Sequence, residues 1–201
     1  MYLTLDLSSK CTGYAKFSKD GKLIKKGRII PTKDIHPYLK IHYVVEKVKT
    51  LFAGINELII EGLYLGHFNG KRNVTTLIYL ARLSGAVIYA WIVHKYKIPH
   101  IYTASGARAL IGINGRANKA EVQLEILKRY KFATPIKIKE YERGINELIN
   151  KYKNKELTKG QFKYRMGKIS NLIDKETEIG EDVADSIVLG LAYHKKIGEK
   201  N

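Results

Sequence analysis

The chain predicts a single α/β layered domain, and three observations carry that expectation. Its elements read in the order βββαβαβα, the dipeptide Asp20-Gly21 marks a tight hairpin, and the later strands are separated by helical patterns. The first three strands are therefore expected to be antiparallel and the later ones to join through helices, giving a mixed five-stranded sheet with helices on both faces. At 201 residues there is room for one full core and an elaboration, and no internal repeat divides it.

Residues 2–7 are a short apolar run, and residues 13–17 form a second strand after a turn at 8–12. Residues 22–30 are the third strand, which Pro31 ends. Asp34 is placed to cap a helix running to about residue 52, with Ile41, Val44, Val45, Val48 and Leu51 on one face. Residues 58–61 read as a short buried strand and 62–72 as a loop. The stretch 74–94 is largely apolar and has the length of a membrane span, but Arg82, Ser84 and Gly85 sit at its centre. A central arginine is costly in lipid, so this helix is expected to be buried on several faces, by the sheet and by a second subunit. No membrane partner is expected.

Residues 99–102 form the fifth strand, 104–110 a helical turn, and 112–118 a loop broken by Gly112 and Gly115. Residues 119–130 are amphipathic, with Val122, Ile126 and Leu127 inward. Between 135 and 178 the chain is polar and lysine-rich. Helical spacing at Tyr141, Ile145, Leu148 and Ile149, then at Phe162, Met166, Ile169 and Ile173, predicts a helical hairpin laid against the core. This is an insertion ahead of the last helix, 181–196.

Lysine and arginine number 36 against 19 acids, a net charge of +17. Such a surplus attracts polyanions, nucleic acid first and anionic membrane second, although a solvated lysine surface has the same composition. Cys11 is the only cysteine, which excludes an internal disulfide and a cysteine-based zinc cluster. It reads as a small strand residue in a reducing compartment, and the expected location is cytoplasmic. The opening run lacks the basic segment of a secretory leader. The six histidines have no metal-ligand spacing; among them His67 is the candidate phosphate contact.

Four carboxylates stand out against this basic background. Asp6 interrupts the first apolar strand, Glu61 ends the fourth, and Asp182 and Asp185 lie three apart on one face of the last helix. Each alone has an ordinary explanation: Asp182 as a helix cap, Asp185 as a surface residue, Glu61 as a strand end. Jointly they occupy apolar contexts where an ionised group is costly unless compensated, and hard divalent cations are the fitting compensation for an all-oxygen set. Two such ions about 4 Å apart activate a water and stabilise the leaving oxygen in phosphoryl displacement.

Three acidic segments, Leu5-Asp6-Leu7-Ser8-Ser9-Lys10-Cys11-Thr12-Gly13-Tyr14-Ala15, Ile59-Ile60-Glu61-Gly62-Leu63-Tyr64 and Asp182-Val183-Ala184-Asp185-Ser186, resemble in sequence and order the acidic motifs of the RuvC Holliday junction resolvases. The basic segment from Leu110 to Val122 resembles that family's segment before a core helix. The likeness covers roughly residues 1–132 and 180–196. It implies an RNase H-like fold, two Mg²⁺ (or Mn²⁺) ions per active site, and a homodimer that nicks opposing strands of a four-way DNA junction. By this resemblance Asp6, Glu61, Asp182 and Asp185 are metal ligands and Lys119 a catalytic lysine. Arg108 stands where the family usually has a second lysine, and Tyr64 on an aromatic that stacks near the crossover. Lys71, Arg72 and Arg116 join Tyr64, Arg108 and Lys119 as candidate DNA contacts. The chain departs from the family in carrying Leu7-Ser8 where Pro-Gly usually follows the first aspartate, and in its longer 135–178 segment.

Other readings are a broader branched-DNA nuclease, an RNase H-like enzyme that trims structured ribosomal precursor RNA, and a catalytically silent junction-binding protein. A sugar-kinase or actin-like ATP-binding domain opens with a similar strand-turn-strand. It needs a duplicated domain and further phosphate loops, for which 201 residues leave no room.

Overall fold

The computed structural model describes residues 1–62 and 71–199, with the side chains of residues 71–73 left aside. One mixed sheet runs in the order β3-β2-β1-β4-β5, with β1 (Tyr2–Asp6) at its centre. β1 pairs antiparallel with β2 (Thr12–Phe17) and parallel with β4 (Glu57–Glu61). β3 (Leu23–Ile29) and β5 (His100–Tyr102) form the edges, antiparallel to β2 and parallel to β4 respectively.

Seven helices complete the described chain: α1 (Pro37–Lys49), α2 (Lys71–Lys95), α3 (Ala104–Leu110), α4 (Lys119–Tyr130), α5 (Pro135–Lys153), α6 (Lys159–Thr177) and α7 (Glu181–Gly198). The two-residue period of the strands sorts the core into two layers. Leu3 and Leu5 of β1, with Leu58 and Ile60 of β4, pack against α1 and α2. Tyr2 of β1 and Ile59 of β4 belong to the opposite layer, with α4, α7 and the α5–α6 hairpin. Helices therefore cover both faces, as the element order predicts.

The insertion is a helical hairpin packed on α4, with Tyr141, Ile145, Met166 and Ile173 buried in the shared core. A capping box closes the N-terminus of α6, where Thr158 accepts from the Gln161 backbone and Gln161 returns the bond. Another opens α4, through Asn118 and Glu121.

Two expectations need correction. Asp34 does not cap α1. The His36 ring accepts from the Tyr38 backbone and Pro37 takes the first helical position, where its missing N–H costs nothing. Helix α1 also stops at Lys49, so Leu51 packs from the turn beyond it.

Helix α2 is long and apolar enough by composition alone to cross a membrane. It buries one face only: Leu83, Val87 and Trp91 enter the core, while Val74, Ile78, Tyr89, Ile92 and Val93 remain exposed. Among the described residues the sheet side alone is buried, so burial on further faces rests on the second subunit that the sequence reading also invokes. The second correction is Cys11, which sits just before β2 rather than within a strand.

Helix α7 lies close on the sheet because Gly190 presents no side chain. A Cβ there would overlap the Phe17 ring. Phe17 stacks on Tyr2 at 5.0 Å, and the Tyr2 hydroxyl donates to the Gly190 carbonyl at 3.2 Å. Gly190→Ala is expected to destabilise the fold by about 1–3 kcal/mol, because the forced displacement of the aromatic pair outweighs the gain in helix propensity. A lower urea midpoint at unchanged slope is the expected reading; an unchanged or higher midpoint contradicts the tight seat.

Candidate active site

Asp6 ends the central strand, and Glu61 ends its parallel neighbour one register step beyond the Leu5–Ile60 pair. Alternation puts Tyr2, Thr4 and Asp6 on the α7 face of β1, and Ile59 and Glu61 on the same face of β4. The first turns of α7 arrive at this edge with Glu181, Asp182 and Asp185.

Two local features hold α7 there. The buried Thr4 hydroxyl donates to the Ser186 carbonyl at 2.6 Å, tying the residue after Asp185 to the strand that carries Asp6. Gly13 is the register partner of Asp6, and a Cβ on it would overlap the Asp182 carbonyl. Glycine at 13 is thus what lets the helix backbone approach β2 closely. The Cys11 thiol lies beside Asp182 and favours its carboxylate form.

The electrostatics show that these acids share one environment. Burial lifts the Asp6 carboxyl well above the usual carboxylate range, and Glu61, Asp185, Asp182 and Glu181 push it the same way. Glu61 is raised to about 7, first by burial and then by Asp185. Burial also raises Asp182 and Asp185; the Cys11 hydrogen bond opposes the shift at Asp182, and Arg108 opposes it at Asp185. Burial and the neighbouring Asp182 together push the Cys11 thiol up to about 12, so it stays a protonated donor.

Two cations of the chain meet the cluster. Arg108 donates to Asp185 at 2.8 Å and to the Ala117 carbonyl at 3.1 Å, and its side chain is only 14% exposed. It therefore balances the acids from inside rather than standing free on the surface. Lys119, exposed at the first position of α4, pairs with Glu181. Glu181 is a fifth acid that the sequence reading passed over, although its spacing of four from Asp185 was a usable signal.

The donor set suits a hard divalent cation: oxygen ligands only, several carboxylates, and proton affinities raised first by burial and then by neighbouring acids. Among the described residues no three His, Cys, Asp or Glu side chains are already drawn together in a metal-holding arrangement. Asp185 turns to Arg108 and Glu181 to Lys119 instead, each taking a cation from the chain.

Of the remaining candidates, Arg116 is exposed on the loop ahead of α4, where its backbone N–H donates to Asn114. Tyr64 and His67 lie outside the described residues, as do the side chains of Lys71 and Arg72 at the start of α2.

The raised carboxyls make a stability prediction. A carboxyl whose folded pKa exceeds its unfolded value of roughly 4.3 retains its proton longer when folded. That contribution is full below the unfolded value and is lost as pH rises through about 7 for Glu61. In chelator, the melting temperature should therefore fall between about pH 5 and 8, and Glu61→Gln should fall less steeply. Scanning calorimetry of both proteins checks this; parallel declines contradict it.

Three comparisons with known proteins place the chain. It matches the family described as Crossover junction endodeoxyribonuclease RuvC over residues 2–140. No curated protein sequence matches it. Among solved structures it is similar to Thermus thermophilus RuvC, with a TM-score of 0.56 at 10% identity over 99% of this chain and 96% of that one. A second similar structure is T. thermophilus RuvC in complex with a Holliday junction substrate, with a TM-score of 0.54 at 7% identity over 98% and 94%. At such identities the structural likeness speaks for the RNase H-like fold alone, while the family match spans most of the chain. The chain belongs to the RuvC family of crossover junction endodeoxyribonucleases, hydrolases of the phosphodiester bond.

Proposed function

We propose that this protein resolves four-way DNA junctions by paired, divalent-cation-dependent nicks, acting as a homodimer. The observation that carries the reading is the convergence of Asp6, Glu61 and Asp185 from the ends of two central strands and the first turns of one helix, where Glu61 and Asp185 add to the effect of burial on Asp6. Asp6, Glu61, Asp182 and Asp185 would hold Mg²⁺ or Mn²⁺. Bound there, such ions supply an activated water and charge neutralisation at the phosphate.

The chain's own residues do the rest. Thr4 and Gly13 fix the distance between helix and strand, so Asp182 and Asp185 face Asp6 without a flexible segment between them. The Cys11 thiol beside Asp182 favours its charged form. Lys119 is exposed beside the acids, where its ammonium can meet negative charge growing on a phosphate. Arg108 pairs with Asp185 and opposes the rise in proton affinity that burial gives it.

DNA as the substrate is supported by the family match, by the net charge of +17, and by the structural likeness to a protein solved with a Holliday junction. The dimer is supported by α2. Its exposed face carries Val74, Ile78, Tyr89 and Ile92, with Gly85 between them in open space that a second helix can approach closely. Two symmetric cuts need two sites related by a two-fold axis, which an isologous α2 contact supplies.

Two outcomes test the reading. On a fixed four-way junction with Mg²⁺, the wild type should give paired nicks at symmetric positions, with little cutting of linear duplex or structured RNA. Asp6→Asn should lower single-turnover cleavage by about a thousandfold or more with junction binding kept, and Lys119→Ala by roughly 10²–10³-fold. Cutting by Asp6→Asn at the wild-type rate would remove Asp6 from the ligand set. Preferential turnover of structured RNA would move the chain to the RNA-processing alternative.

A further inference from the structure

Beside the acids, a trough of about 780 Å³ runs between the core and the inserted hairpin. Its inner end is formed by Arg28, Lys119, Glu181 and Asp182. Its outer wall is a single face of α6, read from Asp174 and Ser170 through Gly167 to Lys163 and Lys159. The sixteen residues from Lys159 to Asp174 give a wall about 22 Å long, fifteen steps of 1.5 Å. Charge changes along it: the acids cluster at the inner end, where Arg28 already neutralises Asp174 at 2.9 Å, and the outer end is basic.

Three details indicate a polar, extended occupant. Gly167 sits in the middle of α6, where glycine costs about 1 kcal/mol relative to alanine. An added Cβ there would meet nothing within 4 Å, so its absence keeps the trough wide rather than relieving a clash. Gln123 is fully buried in the floor, where its Nε2 donates to the Ser170 and Ile179 carbonyls and so fixes the polar floor against the far wall. At the outer end Tyr152 of α5 stacks on Phe162 of α6 at 4.6 Å, fixing the hairpin where Lys159 and Lys163 project.

We infer that the inserted α5–α6 hairpin is a DNA-arm clamp: the trough takes one strand of the arm flanking the cut phosphate, with Lys159 and Lys163 on its backbone. At 3.4 Å per nucleotide, the wall spans about six nucleotides outward from the acids. This rests on the resolvase reading for the position of the cut. It adds that junction affinity depends on arm length through a segment that the motifs of the active site do not include.

The test compares four-way junctions whose arms are hairpin-capped at about 5 or about 15 base pairs, so that only the longer arms traverse the whole trough. The wild type should bind the long-arm junction at least about tenfold more tightly. In Lys159→Glu/Lys163→Glu that preference should collapse below about twofold, and the slope of log Kd against log salt should become shallower by about two. Lys151→Glu/Lys168→Glu makes the same charge change on hairpin residues outside the trough and should keep the preference.

Gly167→Trp should also abolish the preference, by filling the trough with no change in charge, and its higher helix propensity guards against a folding artefact. Preference retained in both trough variants, or lost equally in the control pair, overturns the clamp. A wild type that cuts junctions but shows no arm-length preference overturns it too. A wild type that neither binds nor cuts junctions overturns the resolvase reading instead, so the two failures are distinct.

Discussion

Burial of carboxylates that the fold forces together, with their mutual repulsion added, is the constraint on which the structure turns. Asp6, Glu61 and Asp185 are brought to one place by the strongest features of the architecture, the central parallel strand pair and the helix lying across it. Nothing about burying them favours folding, since each raises the cost of ionising its neighbours. The fold tolerates this because other contacts hold α7 down: the Thr4–Ser186 hydrogen bond, the glycine approaches at 13 and 190, and the Arg108 ion pair. A site that is electrostatically unfavourable when empty is one that gains from a cation.

The rest of the molecule divides its surfaces around that centre. One sheet face, covered by α1 and α2, leaves an apolar helix stripe outward and suits a second copy of the chain. The other carries α4, α7 and the inserted hairpin, with Lys119, Lys159 and Lys163 along the trough proposed to take DNA. Lys119 stands where the two functions join, at the first turn of α4, beside the acids and at the inner end of the trough. On the proposed reading, chemistry and substrate binding share one layer, and dimerisation is left to the opposite one.

Much of this was legible in the sequence because it depends on short-range pattern. The alternation of Tyr2 to Asp6, the Asp20-Gly21 turn, the spacing in 119–130 and the paired apolar sets of 135–178 each encode their own element. So did the three acidic segments, whose order carried the family. What escaped depends on contacts across the fold. Gly13 and Thr4 look ordinary until α7 is seen lying against them, and Glu181 looks like a first-turn acid until Lys119 reaches it. The start of α1 was misplaced because Asp34 is a stronger intrinsic cap than His36, yet Pro37 fixes the first helical turn. For α2, composition alone does not reveal that one stripe faces the core and the other is left uncovered.

The most direct measurement of the central claim is anomalous diffraction from crystals of the protein soaked in Mn²⁺. The account predicts a strong peak enclosed by the carboxylates of Asp6, Glu61 and Asp185, with the Arg108 side chain withdrawn from Asp185. Saturating Mn²⁺ that leaves no peak there, with the Arg108–Asp185 pair intact, would contradict it.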